Sequence, residues 1–288
     1  MAIVLVQLFV NGLLKGGVYA LLSVGLTIVY GVARILNFAH GEFVMISMYA
    51  TYFLFSYFGY NPFFSLLIVF PLMFLIGILT YRSLFSSLVD KGRTAQIFAT
   101  TGLSLMLQNI ALIIWRGDPR IVVIQALNKV LSFGPISASL IETLGFVLAT
   151  LLMVGLFLFL KYTYAGKGIR AVVDDTKGAM LVGMNVKNLY QLAVAIGFAC
   201  TGAAGAILVT IYYAIPAVGD SWKFISLIAV VLGGYTSIPG TVLASIIIGL
   251  IESFSGFFFS VQLKECSYFL VFLLVLLFRP QGLFGRKQ

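Results

Sequence analysis

The sequence predicts an all-α integral membrane protein, a polytopic bundle of about seven to nine transmembrane helices with a broken or re-entrant segment near residues 223–258. Composition is the first reason: of 288 residues, 61% are hydrophobic and 9% charged, where an ordinary soluble domain carries roughly 25% charged residues. Mean hydropathy of +1.10 is the second. The third is that apolar runs of the roughly 20 residues needed to cross a hydrocarbon core recur from end to end. No stretch is left over for a soluble domain, so residues 1–288 read as one transmembrane domain.

The first ten residues, MAIVLVQLFV, carry no positive charge, so the expectation is an uncleaved start that belongs to the first span. That span, 3–31, is long and glycine-rich, which predicts a broken or strongly tilted helix. Runs at 42–58, 62–81, 95–115, 142–160 and 189–212 each read as one membrane helix. Then the pattern changes. KFISLIAVVLGG is apolar for only 12 residues, about 18 Å as a helix and too short to cross alone. GGYTSIPG interrupts it, TVLASIIIGLIESFSGFFF resumes, and a final run at 265–278 ends in FRPQGLFGRKQ.

Charge placement sets the orientation. With the C-terminus and residues 161–188 in the cytoplasm, Arg34, Arg82, Lys91, Arg93, Lys161, Lys167, Arg170, Lys177, Lys187, Arg279, Arg286 and Lys287 fall inside. Arg116, Arg120, Lys129, Lys223 and Lys264 fall outside, and Lys15 sits within the first span. The excess inside follows the positive-inside rule and puts the N-terminus outside. Because the basic residues lie in short loops, the net charge of +9 is a topology signal and not a nucleic-acid footprint. Parity then allows either two crossings by the 223–258 pair, for nine spans, or a re-entrant hairpin, for seven. Gly233, Gly234, Pro239 and Gly240 in the interruption are either a plain turn or non-helical backbone lining a pathway.

Chemistry is sparse. AGKG at 165–168 lacks the earlier glycine and the following Ser or Thr of a phosphate loop. One histidine and nine carboxylates form no convergent catalytic or metal set, so no enzyme activity and no bound cofactor are expected. Cys200 in a hydrophobic helix and Cys266 near a span boundary predict no disulfide. An ion-coupled carrier, or a channel for a small polar solute such as urea or short amides, remains open through Lys15, Glu42 and Glu252, since ionisable groups at membrane depth are costly. For Glu252 the alternative is pairing with a neighbouring polar group.

Two segments stand out. NFAHGEF spends the chain's one histidine within a polar cluster. Asn37 suits a helix cap, Gly41 a close backbone approach, and Glu42 the positive end of a helix dipole. His40 then either locks the second span to the first or touches substrate. Residues 161–188 are too polar to cross. From Gly168 to Val182 they read as one amphipathic helix with Ile169, Val172, Val173, Ala179, Met180 and Val182 on its apolar face, ended by Gly183. Such a helix suits docking to a soluble partner or lying on the membrane surface. Small residues at Gly197, Thr201 and Gly205, and at Gly202 and Ala206, recur every four positions and predict close helix packing.

GLLKGGVYALLSVGLTIVYGVARILNFAHGEFVM, GIRAVVDDTKGAMLVGMNV and VVLGGYTSIPGTVLASIIIGLIE, in this order and spacing, resemble the permease subunits of branched-chain amino-acid ABC importers over nearly the whole chain. The resemblance implies a permease domain in a prokaryotic cytoplasmic (inner) membrane, working in a lipid bilayer with a related second permease, two ATP-binding subunits and an extracytoplasmic substrate-binding protein. ATP and Mg would be used by those partners and not by this chain. It also implies that residues 161–188 are the coupling loop that meets the ATPase, with Arg170, Asp174, Asp175, Lys177, Ala179, Gly183 and Asn185 within it. Departures are specific. Lys177, Gly178 and Ala179 stand where the family often has Glu-Ala-Ala, and Ser47 and Met48 where it often has Gly-Ala, which predicts looser helix packing there.

Overall fold

The computed structural model describes residues 1–127, 129–259, 263–279 and 282–284. Arg286 and Lys287, counted above as inner charges, lie outside the described residues. The chain runs α1 (Ala2–Ala33), α2 (His40–Phe58), α3 (Pro62–Leu88), α4 (Arg93–Trp115), β1 (Val130–Phe133), β2 (Ile136–Ser139) and α5 (Leu140–Tyr162). Next come two short helices, α6 (Tyr164–Asp174) and α7 (Thr176–Leu181), then α8 (Val186–Leu208), α9 (Val218–Gly233), α10 (Ile238–Phe258) and α11 (Lys264–Phe278). α3 holds Pro71 and includes a π-helical turn at Tyr81–Phe85. Among the described helices α1, α3, α4, α5, α8 and α10 are long and apolar enough to cross a membrane.

α1 and α8 form the centre. Their apolar windows are 94% and 83% buried, whereas those of α4 and α5 are each 17% buried. Side chains on α4 such as Phe98 and Ile113 therefore point outward, as suits a solvent of lipid chains. Close packing at the centre needs small residues, because apolar faces gain nothing over lipid except contact. A Cβ on Gly25 would stand 2.6 Å from the Gly197 carbonyl oxygen, and one on Gly197 the same distance from Gly25. Gly202 faces Met73 of α3, and Gly205 faces Ser47 of α2. The small-residue stripe thus packs α8 onto this chain's own helices. Ser47 does not loosen the packing, because its fully buried hydroxyl donates to the Gly202 carbonyl at 2.5 Å.

Of the two expectations for the first span, a break or a strong tilt, the break is corrected. α1 is one continuous helix of 32 residues, about 48 Å long, and its glycines serve helix contacts instead of a break. It ends where Arg34 turns left-handed at φ 57°. α10 lies antiparallel to it, pairing Ser253 with Leu8, Ile246 with Gly16 and Thr241 with Thr27. α9 runs beside α1 in the same direction, with Trp222 near Tyr19 and Tyr235, just past its end, near Tyr30. The turn between α9 and α10 therefore reaches the C-terminal end of α1, with α10 but not α9 among the described helices long and apolar enough to cross a membrane.

Gly233, Gly234, Pro239 and Gly240 build that turn. Gly234 has φ 101°, a conformation that favours glycine, and Gly233 and Gly240 meet backbone to backbone. Pro239 sits in the first turn of α10, which Ser237 caps through the Gly240 N–H at 3.2 Å. The Leu283 N–H donates to the Leu232 carbonyl at 2.7 Å, fastening the last described residues to the same turn. At the opposite end, Arg120 and Ala214 exchange backbone hydrogen bonds of 3.0 and 2.7 Å, and the β1–β2 hairpin is held to α1 by the Ser137 N–H donating to Gln7 Oε1 at 2.7 Å. Cys200 is buried, Cys266 is exposed, and both are free.

Candidate functional site

After Ala33 the chain does not start its second helix at the end of the bundle. Residues 34–39 fold back along α1, and six extended residues reach about 20 Å. That covers the 11 residues from Ala33 back to Leu22, about 16 Å of helix. There His40 Nε2 lies 3.1 Å from the Leu22 carbonyl oxygen and 3.4 Å from Thr201 Oγ1. A ring nitrogen facing a carbonyl carries the proton, so His40 is the Nε2–H tautomer, and it ties α2 to both central helices. The cap expected of Asn37 is displaced. Its Oδ1 accepts from the Ala39 N–H at 3.0 Å, and the N-cap position falls on Ala39 without a side-chain bond. The side chain is taken up by the tight turn that precedes the helix.

α2 therefore begins inside the bundle, and α9 begins beside it. Gly41 and Gly219 are in backbone contact, and a Cβ on Gly41 would collide with the Gly219 carbonyl. Each helix carries an acid in its first turn, Glu42 and Asp220, where the helix dipole favours negative charge. Lys223 joins them. Its Nζ lies 2.5 Å from Asp220 Oδ1 and 3.9 Å from Glu42 Oε1. Side-chain exposure falls from 47% at Asp220 to 12% at Lys223 and 1% at Glu42, so the three charges lead from the rim inward. Among the described residues, neither Glu42 oxygen accepts a hydrogen bond of acceptable geometry, although Ser104 of α4 stands beside it. Asn37 Nδ2, His40 Nδ1 and Trp222 Nε1, all buried, also lack hydrogen-bond partners among the described residues. Buried polar atoms are nearly always partnered in protein interiors, so this cluster is unusual.

A cleft of about 360 Å³ opens next to the junction, lined by Gln108, Asn109, Leu112, Ile215, Pro216 and Ala217. Gln108 connects the two, because its Nε2 donates to Asp220 Oδ2 at 3.4 Å.

Glu252 belongs to a separate cluster. Its Oε1 lies 3.7 Å from both Lys15 and Lys264, and its Oε2 accepts from the Tyr19 hydroxyl at 2.6 Å. Tyr19 in turn meets the Tyr212 hydroxyl at 3.0 Å. The arrangement fastens α1, α10 and α11 together.

The polar segment holds two helices where the sequence predicts one. Asp175, with φ −150° and ψ 101°, breaks the run and caps α7 through the Lys177 N–H at 3.0 Å. Gly183, at φ 82°, follows α7 and lets the Met184 N–H reach the Ala179 carbonyl at 3.1 Å. Asn185 caps α8 through the Asn188 N–H. Ile169, Val172 and Ala179 are buried, while Met180, Leu181 and Val182 are exposed together with Arg170, Asp174 and Lys177. The sequence-predicted apolar face thus divides, half holding the loop to the bundle and half facing outward.

Sequence reasoning missed Asp220, Lys223, Trp222 and Gln108. The spacing of Asp220 and Lys223, three apart at the head of a helix, was the available signal. The comparisons agree with the fold just described. The family model for the branched-chain amino acid transport system / permease component matches residues 8–278. The high-affinity branched-chain amino acid transport system permease protein BraD of Pseudomonas aeruginosa is 33% identical, covering 98% of this chain and 96% of that protein. LivH of Escherichia coli, a high-affinity branched-chain amino acid transport system permease protein, is 29% identical over 98% of this chain and 96% of its own. Among solved structures, PsaBC from Streptococcus pneumoniae in complex with a Fab has a chain similar in fold, with a TM-score of 0.50 and 14% identity over 95% of this chain and 92% of that one. On this breadth of match, the chain belongs to the family of branched-chain amino acid transport system permease components.

Proposed function

We propose that this chain is the translocation subunit of an ATP-driven importer that carries branched-chain or closely related amino acids across a prokaryotic cytoplasmic membrane. A related second permease, two ATP-hydrolysing subunits that use ATP and Mg, and an extracytoplasmic substrate-binding protein complete the machine. The observation that carries this reading is the α6–α7 loop, where exposed Met180, Leu181 and Val182 sit beside exposed charges at one end of the bundle. An apolar patch rimmed by charge suits a soluble protein partner. Arg34, Arg82, Lys91 and Arg93 gather at the same end of α1, α3 and α4, which supports placing that end in the cytoplasm, the N-terminus outside and the C-terminus inside.

α6 packs on α5, α1 and α8. A push on α6 and α7 by closing ATPases then moves the two central helices, and with them the His40 tether to Leu22. That is a rigid-body route to alternating access, and within it Asn37, Gly41, Gly233, Gly234, Pro239 and Gly240 keep the moving helices in register. The test is site-directed crosslinking of Leu181→Cys in the assembled complex. A crosslink to the ATPase subunit supports the reading. Labelling of Leu181→Cys by a membrane-impermeant thiol reagent from outside the cell overturns it.

A further inference from the structure

We propose that the α2–α9 junction, with the cleft beside it, binds the zwitterionic head of an amino acid, Lys223 taking the carboxylate and Glu42 with Asp220 taking the ammonium. This rests on the amino-acid reading above and assigns the residues that act on that substrate.

Charge is the first argument. Two carboxylates share one ammonium in the triad, at 2.5 Å for Asp220 and 3.9 Å for Glu42. Glu42 is left as a buried carboxylate with Ser104 beside it and, among the described residues, no well-formed hydrogen bond to either oxygen. A structural ion pair at this depth needs the remaining lone pairs satisfied, otherwise desolvation outweighs the attraction. The group that satisfies Glu42 is a second ammonium. A zwitterion brings one, together with a carboxylate that takes Lys223, so every charge then has an opposite neighbour and the net charge is unchanged. A simple anion adds to a triad that already holds two carboxylates against one ammonium, and a simple cation gains nothing from the apolar wall of the cleft beside it.

Shape is the second. The cleft of about 360 Å³ presents Leu112, Ile215, Pro216 and Ala217 as an apolar wall, within the usual range for small-molecule sites. Its polar corner is Gln108, which bonds Asp220 directly. A branched apolar side chain on the wall leaves the head group at Asp220, the exposed end of the triad, from which Lys223 and Glu42 continue inward. The third is the backbone. The Gly41 and Gly219 contact brings two helix N-termini within one turn of each other, where their dipoles favour negative charge at Glu42 and Asp220.

The test uses the assembled transporter in proteoliposomes, with its binding protein at saturation and labelled L-leucine as probe. Uptake is expressed per assembled complex and as leucine moved per ATP hydrolysed. Glu42→Gln and Lys223→Gln are expected to lower both by about tenfold or more, the scale for removing one member of a desolvated charge set. Asp220→Asn, at the half-exposed rim where folding is not at stake, is expected to lower them by several fold. A purely structural triad leaves leucine moved per ATP at the wild-type value in the Asp220 variant, and that result overturns the assignment even if the buried variants fail to assemble. Wild-type leucine uptake with unaffected variants overturns this inference alone. Absence of leucine uptake by the wild-type transporter overturns the amino-acid reading beneath it.

Discussion

Gly25 of α1 and Gly197 of α8 each face the other's carbonyl oxygen, 2.6 Å from where a side-chain carbon would begin. The two most buried helices thus cross backbone on backbone, and the rest of the bundle is arranged around that crossing. Replacing Gly197 with leucine forces the helices apart. Overpacking of this kind costs about 1–3 kcal/mol, read as a lower thermal unfolding midpoint in detergent. Gly155, with open space around it, is the control position and is expected to accept alanine without loss.

His40 is expected to act as a tether. His40→Leu removes the donor to the Leu22 carbonyl and the contact with Thr201, at a cost of about 1–2 kcal/mol. His40→Gln retains a donor and is expected to recover part of the difference. Equal loss of stability in both variants contradicts the tether.

Glu252 lies between Lys15 and Lys264, whose side chains are 19% and 26% exposed. Glu252→Gln leaves two ammonium groups facing each other, and partial exposure moderates the cost to about 1–2 kcal/mol. Adding Lys15→Met to Glu252→Gln is expected to restore part of the stability. A double mutant cycle with no coupling between positions 15 and 252 argues against the pairing.

Leu181 is 88% exposed on α7 and makes no demand on the fold. Leu181→Asp is therefore expected to leave thermal stability within about 0.5 kcal/mol of the parent, as is usual for surface changes. ATP-driven uptake by the assembled complex is expected to fall sharply. Normal uptake by this variant indicates that the ATPase grips a different surface.

Membrane class, the approximate spans and the polar loop were legible because each is written in composition over many residues. Depth along the axis was not. Apolar periodicity reports which face of a helix is buried, and nothing in NFAHGEF says that residues 34–39 run back along α1 before α2 begins. Lys223 was placed with the outer charges for the same reason, since its run is short and its partner, Glu42, is 181 positions away in sequence. The small residues of α8 were read correctly as packing positions, but their partners on α1, α2 and α3 follow only from the fold. The break at Asp175 did have a local signal, an acid followed by a fresh helical turn, and it was overridden by the continuous amphipathic pattern around it.

On the proposed function, this permease moves amino acids only when ATPase partners drive it. Labelled leucine uptake into proteoliposomes, measured with the lone chain and with the full complex, tests it most directly. Uptake is expected to require the complex and ATP and to be indifferent to ion gradients. Uptake by the lone chain, driven by a sodium or proton gradient, contradicts it.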